Sequence, residues 1–273
     1  MKYDLHVHSE YSDGIKTMME LGSEAKAAGL GGFAITDHDT IAGWSEIQKV
    51  EKTFGIVIFP GVELNTEWQK KDVHILGYAM TDEETFREKL VFLSKARITR
   101  VENIVEKLNH LGISITLDEV MDVAGKGTVG RPHVAAVLAQ KGYTKDLQDA
   151  FHRFINRGKP AYVERVSFSP FDAIEMIRSC GGYAVLAHPG IDNAILFLEG
   201  LVQAGLNGIE AYHSAHTTES AARFEDLAKQ YGLFVTAGSD YHGYSDEKHG
   251  FIGSKGLSKE DLPQIFEPYL YDE

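Results

Sequence analysis

The chain is poor in several things, and each shortage narrows what it can be. It holds a single cysteine, Cys180, in 273 residues, so an intrachain disulfide is excluded. A lone thiol fits a reducing, cytoplasmic compartment. No uninterrupted apolar stretch approaches the ~18 residues that a membrane span needs. Met1-Lys2-Tyr3-Asp4 leads straight into strand-like alternation, so no leader peptide is expected. Basic residues are outnumbered, 27 Lys and Arg against 40 Asp and Glu, for a formal charge of −13. A surface of that sign does not suit nonspecific binding of duplex DNA, which relies on Lys and Arg to displace counterions. It does not exclude a small phosphorylated substrate. The remaining balance, 43% hydrophobic and 25% charged, is that of a globular chain. Its length suits one large α/β domain, or one domain with a sizeable insertion.

What is present is a strand–helix rhythm. Residues 1–7 alternate apolar and polar, placing Tyr3, Leu5 and Val7 on one face and Asp4, His6 and His8 on the other. Two imidazoles at i and i+2 are close enough to reach one cation, although His-x-His alone is equally the signature of two surface histidines. Asp13 follows a polar turn closed by Gly14. Helices are expected over 18–28 and 44–54, and strands over 31–36, 56–62 and 73–78. Residues 82–111 contain no Gly or Pro and repeat apolar residues every three or four positions, the pattern of a long amphipathic helix. Shorter helices follow at 118–123, 132–141 and 145–156. The alternation then resumes, with strands at 183–187, 208–212 and 233–237 separated by helices. Residues 1–80 and 162–273 thus form an α/β body, and 81–161 a helical insertion with no low-complexity linker at its edges.

The strand ends collect His6, His8, Asp13, His38, Glu63, His74, His188, Asp240 and His242. Parallel α/β barrels build their sites at that edge. So much ionisable chemistry packed together needs a compensating charge, which divalent cations supply. Nitrogen and oxygen donors without thiolate suit Mn²⁺, Fe²⁺ or Zn²⁺. Asp37, Asp39 and Asn65 flank these positions and are expected to orient the imidazoles. His110, His152 and His249 are read as structural or surface residues. A Ser239/Asp240/His242 triad lacks a nucleophile elbow, and the metal reading uses those residues better.

The motifs Asp4-Leu-His6-Val-His8-Ser9 with Ser12-Asp13-Gly14, Thr36-Asp37-His38-Asp39-Thr40, Pro60-Gly61-Val62-Glu63, His74-Ile-Leu-Gly77-Tyr78, Ala187-His188-Pro189 and Gly238-Ser239-Asp240-Tyr241-His242 resemble the PHP (polymerase and histidinol phosphatase) family in order over the whole body. Gly130-Arg131-Pro132-His133 and Gly158-Lys159-Pro160 resemble the stand-alone branch, whose members act on nucleoside 3′,5′-bisphosphates and on 5′ ends of short RNA. The resemblance implies a distorted (β/α)7 TIM-like barrel, a helical insertion covering the site, and two or three divalent metals. It assigns His6, His8, Glu63 and Asp240 to the first metal. Asp13, His38 and His242 would hold the second, and a bridging Glu63 with His74 and His188 the third. The implied activity is phosphoesterase hydrolysis through a metal-bridging hydroxide, with Asp240 in the catalytic set.

His213, at the next strand end, is a candidate general acid, and His216 beside it a candidate substrate contact; both are equally read as loop histidines. Arg131 opens a helix, where backbone N–H groups and a guanidinium converge on an anion, and is the leading phosphate contact. Lys159 and His133 are further candidates. Two other readings stay open: a phosphomonoesterase for a non-nucleotide metabolite such as histidinol phosphate or a sugar phosphate, and a metal-stabilised module without turnover.

Overall fold

The structure, a computed structural model, describes residues 1–164, 168–191, 193–244 and 249–270. The chain divides into two compact units, residues 1–88 with 168–273, and residues 89–167.

The first unit is built on one sheet. Its strands are β1 (Lys2–Val7), β2 (Gly32–Ile35), β3 (Val57–Trp68), β4 (Lys71–Tyr78), β5 (Tyr183–Leu186), β6 (Gly208–His213), β7 (Phe234–Gly238) and β8 (Leu257–Ser258). They follow the order β7-β6-β5-β4-β3-β2-β1-β8. The sheet curls until its far end meets β1: the Asp240 N–H donates to the His6 carbonyl at 2.9 Å, and Val7 pairs in parallel with Tyr241. The result is a nearly closed, TIM-like α/β barrel.

All seven expected strands form, but the strand–helix rhythm breaks at one point. Strand β4 runs antiparallel to both β3 and β5. Only Gln69 and Lys70 separate β3 from β4, and both have positive φ, 50° and 67°. A two-residue loop with that twist makes a hairpin, whereas a parallel crossover needs about a dozen residues or more. No Asn-Gly or Asp-Gly pair marks this turn, so the sequence carries no strong signal for it.

Helix ends follow local chemistry. α1 (Met18–Ala27) starts at a Thr17/Glu20 capping box, and α7 (Pro170–Ser179) at a Ser169/Asp172 box with Pro in its first turn. The expected helix over 44–54 begins as a 3₁₀ turn at Ala42–Glu46 and becomes α2 at Ile47–Phe54. α8 (Leu198–Gln203) and α9 (Thr218–Tyr231) complete the unit. Tyr3, Leu5, Phe59, Tyr78 and Phe266 form one buried cluster. Val7 instead joins Met18, Phe33 and Ile35 in a second cluster, because the β1–β2 register shifts between Asp4 and Val7 and breaks the strict alternation of β1.

In the order of the chain, α3 (Glu83–His110), α4 (Leu117–Ala124), α5 (Arg131–Gln140) and α6 (Leu147–Ala150) supply the helices expected between the two halves of the sheet. The last continues into a π turn at Phe151–Ile155. Ile104, Leu108, Val120, Val134, Leu138 and Ile155 form the core of the second unit. Among the described residues, no helix is long and apolar enough to cross a membrane.

Candidate metal centre

Strand β3 carries Glu63 into the barrel with 1% of its surface exposed. Its two carboxylate oxygens face five imidazoles. Oε2 lies 3.1 Å from His6 Nε2 and 3.2 Å from both His8 Nε2 and His38 Nδ1. Oε1 lies 2.9 Å from His74 Nδ1 and 2.8 Å from His188 Nε2. A second carboxylate, Asp240, follows β7 and sets Oδ1 at 3.4 Å from His6 Nε2 and 3.2 Å from His8 Nε2. Asp13 closes the outer side, 3.1 Å from His242 Nε2 and 3.7 Å from His38 Nε2.

These atoms form overlapping groups able to hold cations. His6, His8, Glu63 and Asp240 make one group, His8, Asp13, His38 and His242 a second, and His38, Glu63 and His74 a third. His188 joins the assembly through Glu63 Oε1. The donors fit metal: His8 Nε2 and Asp240 Oδ1 are buried without a hydrogen bond, a costly arrangement that a coordinated cation relieves. The backbone is strained here as well. His188 and Asp240 adopt φ of 25° and 55°, left-handed values that cost a non-glycine residue free energy.

The electrostatics follow from this packing. Burial pushes the Glu63 and Asp240 carboxyls up, but the surrounding imidazoles outweigh it and hold both well below the usual range. Burial by itself would lower His8; the Asp240 and Glu63 carboxylates, each 3.2 Å from its Nε2, raise it to about 10. His38 is lowered to about 4, chiefly by burial. A cavity of about 210 Å³ opens onto Asp13, His38, Glu63, His74, His188, Asp240 and His242.

The supporting residues hold the backbone around the rings. Asp37 clamps the turn after β1: it accepts from Ser9 N, Ser9 Oγ and Ser12 Oγ, each at 2.7 Å, and Ser12 Oγ in turn lies 3.5 Å from His8 Nδ1. The turn it fixes carries Asp13. Asp39 accepts from Asn65 N and Nδ2 at 3.0 and 2.6 Å. Asp4 accepts from Ser239 N and Oγ and from Gly253 N, anchoring the segment after β7.

His213 is fully buried, and its Nδ1 accepts the Ala215 N–H, which leaves the ring proton on Nε2, 3.4 Å from Asp240 Oδ2. It stands behind Asp240 rather than on the cavity wall, so it meets a substrate only through that carboxylate. His216 accepts from Gly190 N at Nε2 and donates from Nδ1 to the Ala211 carbonyl. Both ring nitrogens are thereby engaged with backbone, and none is left over for a substrate.

Sequence reasoning took His249 for a structural or surface residue and passed over Glu210. His249 lines the cavity, with Nε2 3.9 Å from Asp240 Oδ2. Glu210, wholly buried in β6, lies 3.0 Å from His6 Nδ1. A carboxylate in the middle of an apolar strand was the available signal for Glu210.

In the helical unit, Arg131 occupies the first position of α5, its guanidinium 5.8 Å above the Phe151 ring. His133 Nδ1 accepts from Gly130 N at 3.0 Å, closing the helix start. Lys159 is exposed.

Residues 4–161 match the family model of the PHP domain. A 3′,5′-nucleoside bisphosphate phosphatase of Chromobacterium violaceum is 32% identical, over 97% of this chain and 94% of that protein. A 5′-3′ exoribonuclease of Haemophilus influenzae is 34% identical, over 88% of this chain and 90% of its own length. A solved structure from Bifidobacterium adolescentis, assigned there to the metal-dependent phosphoesterases, superposes with a TM-score of 0.79 at 29% identity, covering 97% and 95% of the two chains. The chain belongs to the PHP family, and its class is that of hydrolases acting on phosphoric ester bonds.

Proposed function

We propose that this protein hydrolyses the phosphate ester of a small nucleotide, a nucleoside 3′,5′-bisphosphate or the 5′ end of a short RNA. The observation that carries the reading is one buried carboxylate, Glu63, meeting five imidazoles at the base of a polar cavity of about 210 Å³. The Chromobacterium and Haemophilus relatives support the nucleotide class. The buried, lone Cys180 supports a cytoplasmic setting.

In this reading His6, His8, Glu63 and Asp240 hold one divalent cation and Asp13, His38 and His242 a second. Glu63, His74 and His188 hold the third. Mn²⁺, Fe²⁺ and Zn²⁺ suit this donor set. When bound, such cations make water nucleophilic near neutral pH and offset charge on the phosphoryl oxygens. The chain's own contribution is placement. Asp37 fixes the turn that presents Asp13, and His213 steadies Asp240 through Oδ2. Arg131, at a helix start, is the proposed phosphate contact, with Lys159 and His133 as auxiliaries.

The test is turnover by purified, Mn²⁺-loaded protein on adenosine 3′,5′-bisphosphate, 5′-phosphorylated di- and trinucleotides, and histidinol phosphate. Release of phosphate or mononucleotide from the first two groups is expected. Activity confined to histidinol phosphate would sink the nucleotide reading. Metal content without turnover on any of them would leave a metal-stabilised module.

A further inference from the structure

Glu210 sits in the middle of β6 with none of its surface exposed, and a carboxylate in that position is costly unless every oxygen is used. Both are. Oε1 is 3.0 Å from His6 Nδ1, and Oε2 accepts the His188 backbone N–H at 2.8 Å. The other nitrogen of His6, Nε2, faces Glu63 and Asp240 at 3.1 and 3.4 Å. Glu210 therefore touches the outer side of one proposed metal ligand and the main chain of another.

The adjoining strand makes room for this pair. A Cβ on Gly238, in β7, would lie 2.1 Å from His6 Cβ and 2.7 Å from Glu210 Oε1. Only glycine at that point lets the strand pass against the two side chains without displacing them.

We infer that Glu210 is a positioning residue of the metal centre: it holds His6 with the proton on Nδ1 and the Nε2 lone pair turned inward, and it ties the His188 backbone to the same carboxylate. The physical basis is general. In a neutral imidazole, a ring nitrogen that donates to a fixed carboxylate leaves the other nitrogen unprotonated, oriented and more basic toward a cation. Because one carboxylate serves ligands from β1 and from the end of β5, movement of either is transmitted to the other. Glutamine cannot substitute. Its single oxygen cannot accept from both His6 Nδ1 and His188 N in this geometry, and its amide N–H₂ would face one of two donors.

This inference rests on the reading of His6 as a metal ligand, and the experiment separates the two. ¹⁵N-labelled, Zn²⁺-loaded protein is examined for the imidazole resonances of His6, and Zn²⁺ affinity is measured by chelator competition for the native chain, Glu210→Gln and Gly238→Ala. The native protein is expected to show His6 protonated at Nδ1 and bound through Nε2. Both variants are expected to bind Zn²⁺ 10–100-fold more weakly. At saturating metal, kcat should fall while KM for a phosphorylated substrate holds. Absence of zinc from the native protein overturns the proposed function together with this inference. Zinc bound normally, but with His6 coordinated through Nδ1, overturns the Glu210 assignment alone, and that result needs no variant to fold. A Glu210→Gln protein with native zinc affinity and native kcat does the same.

Discussion

The Oε1 atom of Glu63 lies 2.8 Å from His188 Nε2, although the two residues are 125 positions apart in the chain. The same carboxylate reaches His6, His8, His38 and His74, so it is the point where strands β1, β3 and β4 and the ends of β2 and β5 meet. Removing its charge while keeping its shape should strip the centre. Glu63→Gln is expected to lose bound metal by elemental analysis and to lose activity by on the order of 100-fold or more, since even outer supports of a metal site cost 10–100-fold. Full metal content in that variant would refute the bridging role.

Protons and cations compete for His8. With His8 raised to about 10 in the folded chain, against an ordinary histidine value in the unfolded one, the folded state binds the extra proton. The stability it contributes is fully present below pH about 6.5 and is lost as pH rises toward 10. Denaturant unfolding of metal-free protein should therefore show stability falling across that window. Metal affinity should rise over the same window, because coordination needs the unprotonated ring. A metal-free protein equally stable at pH 6 and pH 9.5 would contradict the packing of His8 against two carboxylates.

Asp37 offers a test that separates scaffold from chemistry. It accepts three hydrogen bonds from Ser9 and Ser12 and touches the turn that carries Asp13. Asp37→Ala leaves those donors buried and should cost about 3 kcal/mol of folding stability. It should also weaken the metal whose shell includes Asp13. Thermal melts and metal titration check the two effects separately. Unchanged metal binding alongside the lost stability would confine Asp37 to the fold.

His38→Ala and Arg131→Ala should fail in different ways. His38 is partly open to the cavity and close to Asp13 and Glu63, so its loss should abolish turnover with a modest change in melting temperature. Arg131 stands at a helix start above Phe151, and its loss should raise KM roughly tenfold with kcat little changed, as for a lost binding contact. Steady-state kinetics on the preferred substrate distinguish them. Native KM in Arg131→Ala would move the phosphate contact elsewhere.

Much of this molecule was legible along the chain. The starts of α1 and α7 are set locally, because the Thr17/Glu20 and Ser169/Asp172 capping boxes seen in the structure join groups three residues apart. The strand positions, the long α3 and the nine His and carboxylate residues at strand ends follow from periodicity, which is also local. The tertiary structure decided the rest. It turned β3 back on β4 through two residues with positive φ, set His213 behind Asp240, and put Asp37 against the turn that carries Asp13. It also placed Glu210 against His6, 204 positions away. The physical reason is that spacing specifies which face of a strand a side chain occupies, whereas which imidazole nitrogen meets which oxygen depends on how distant strands pack.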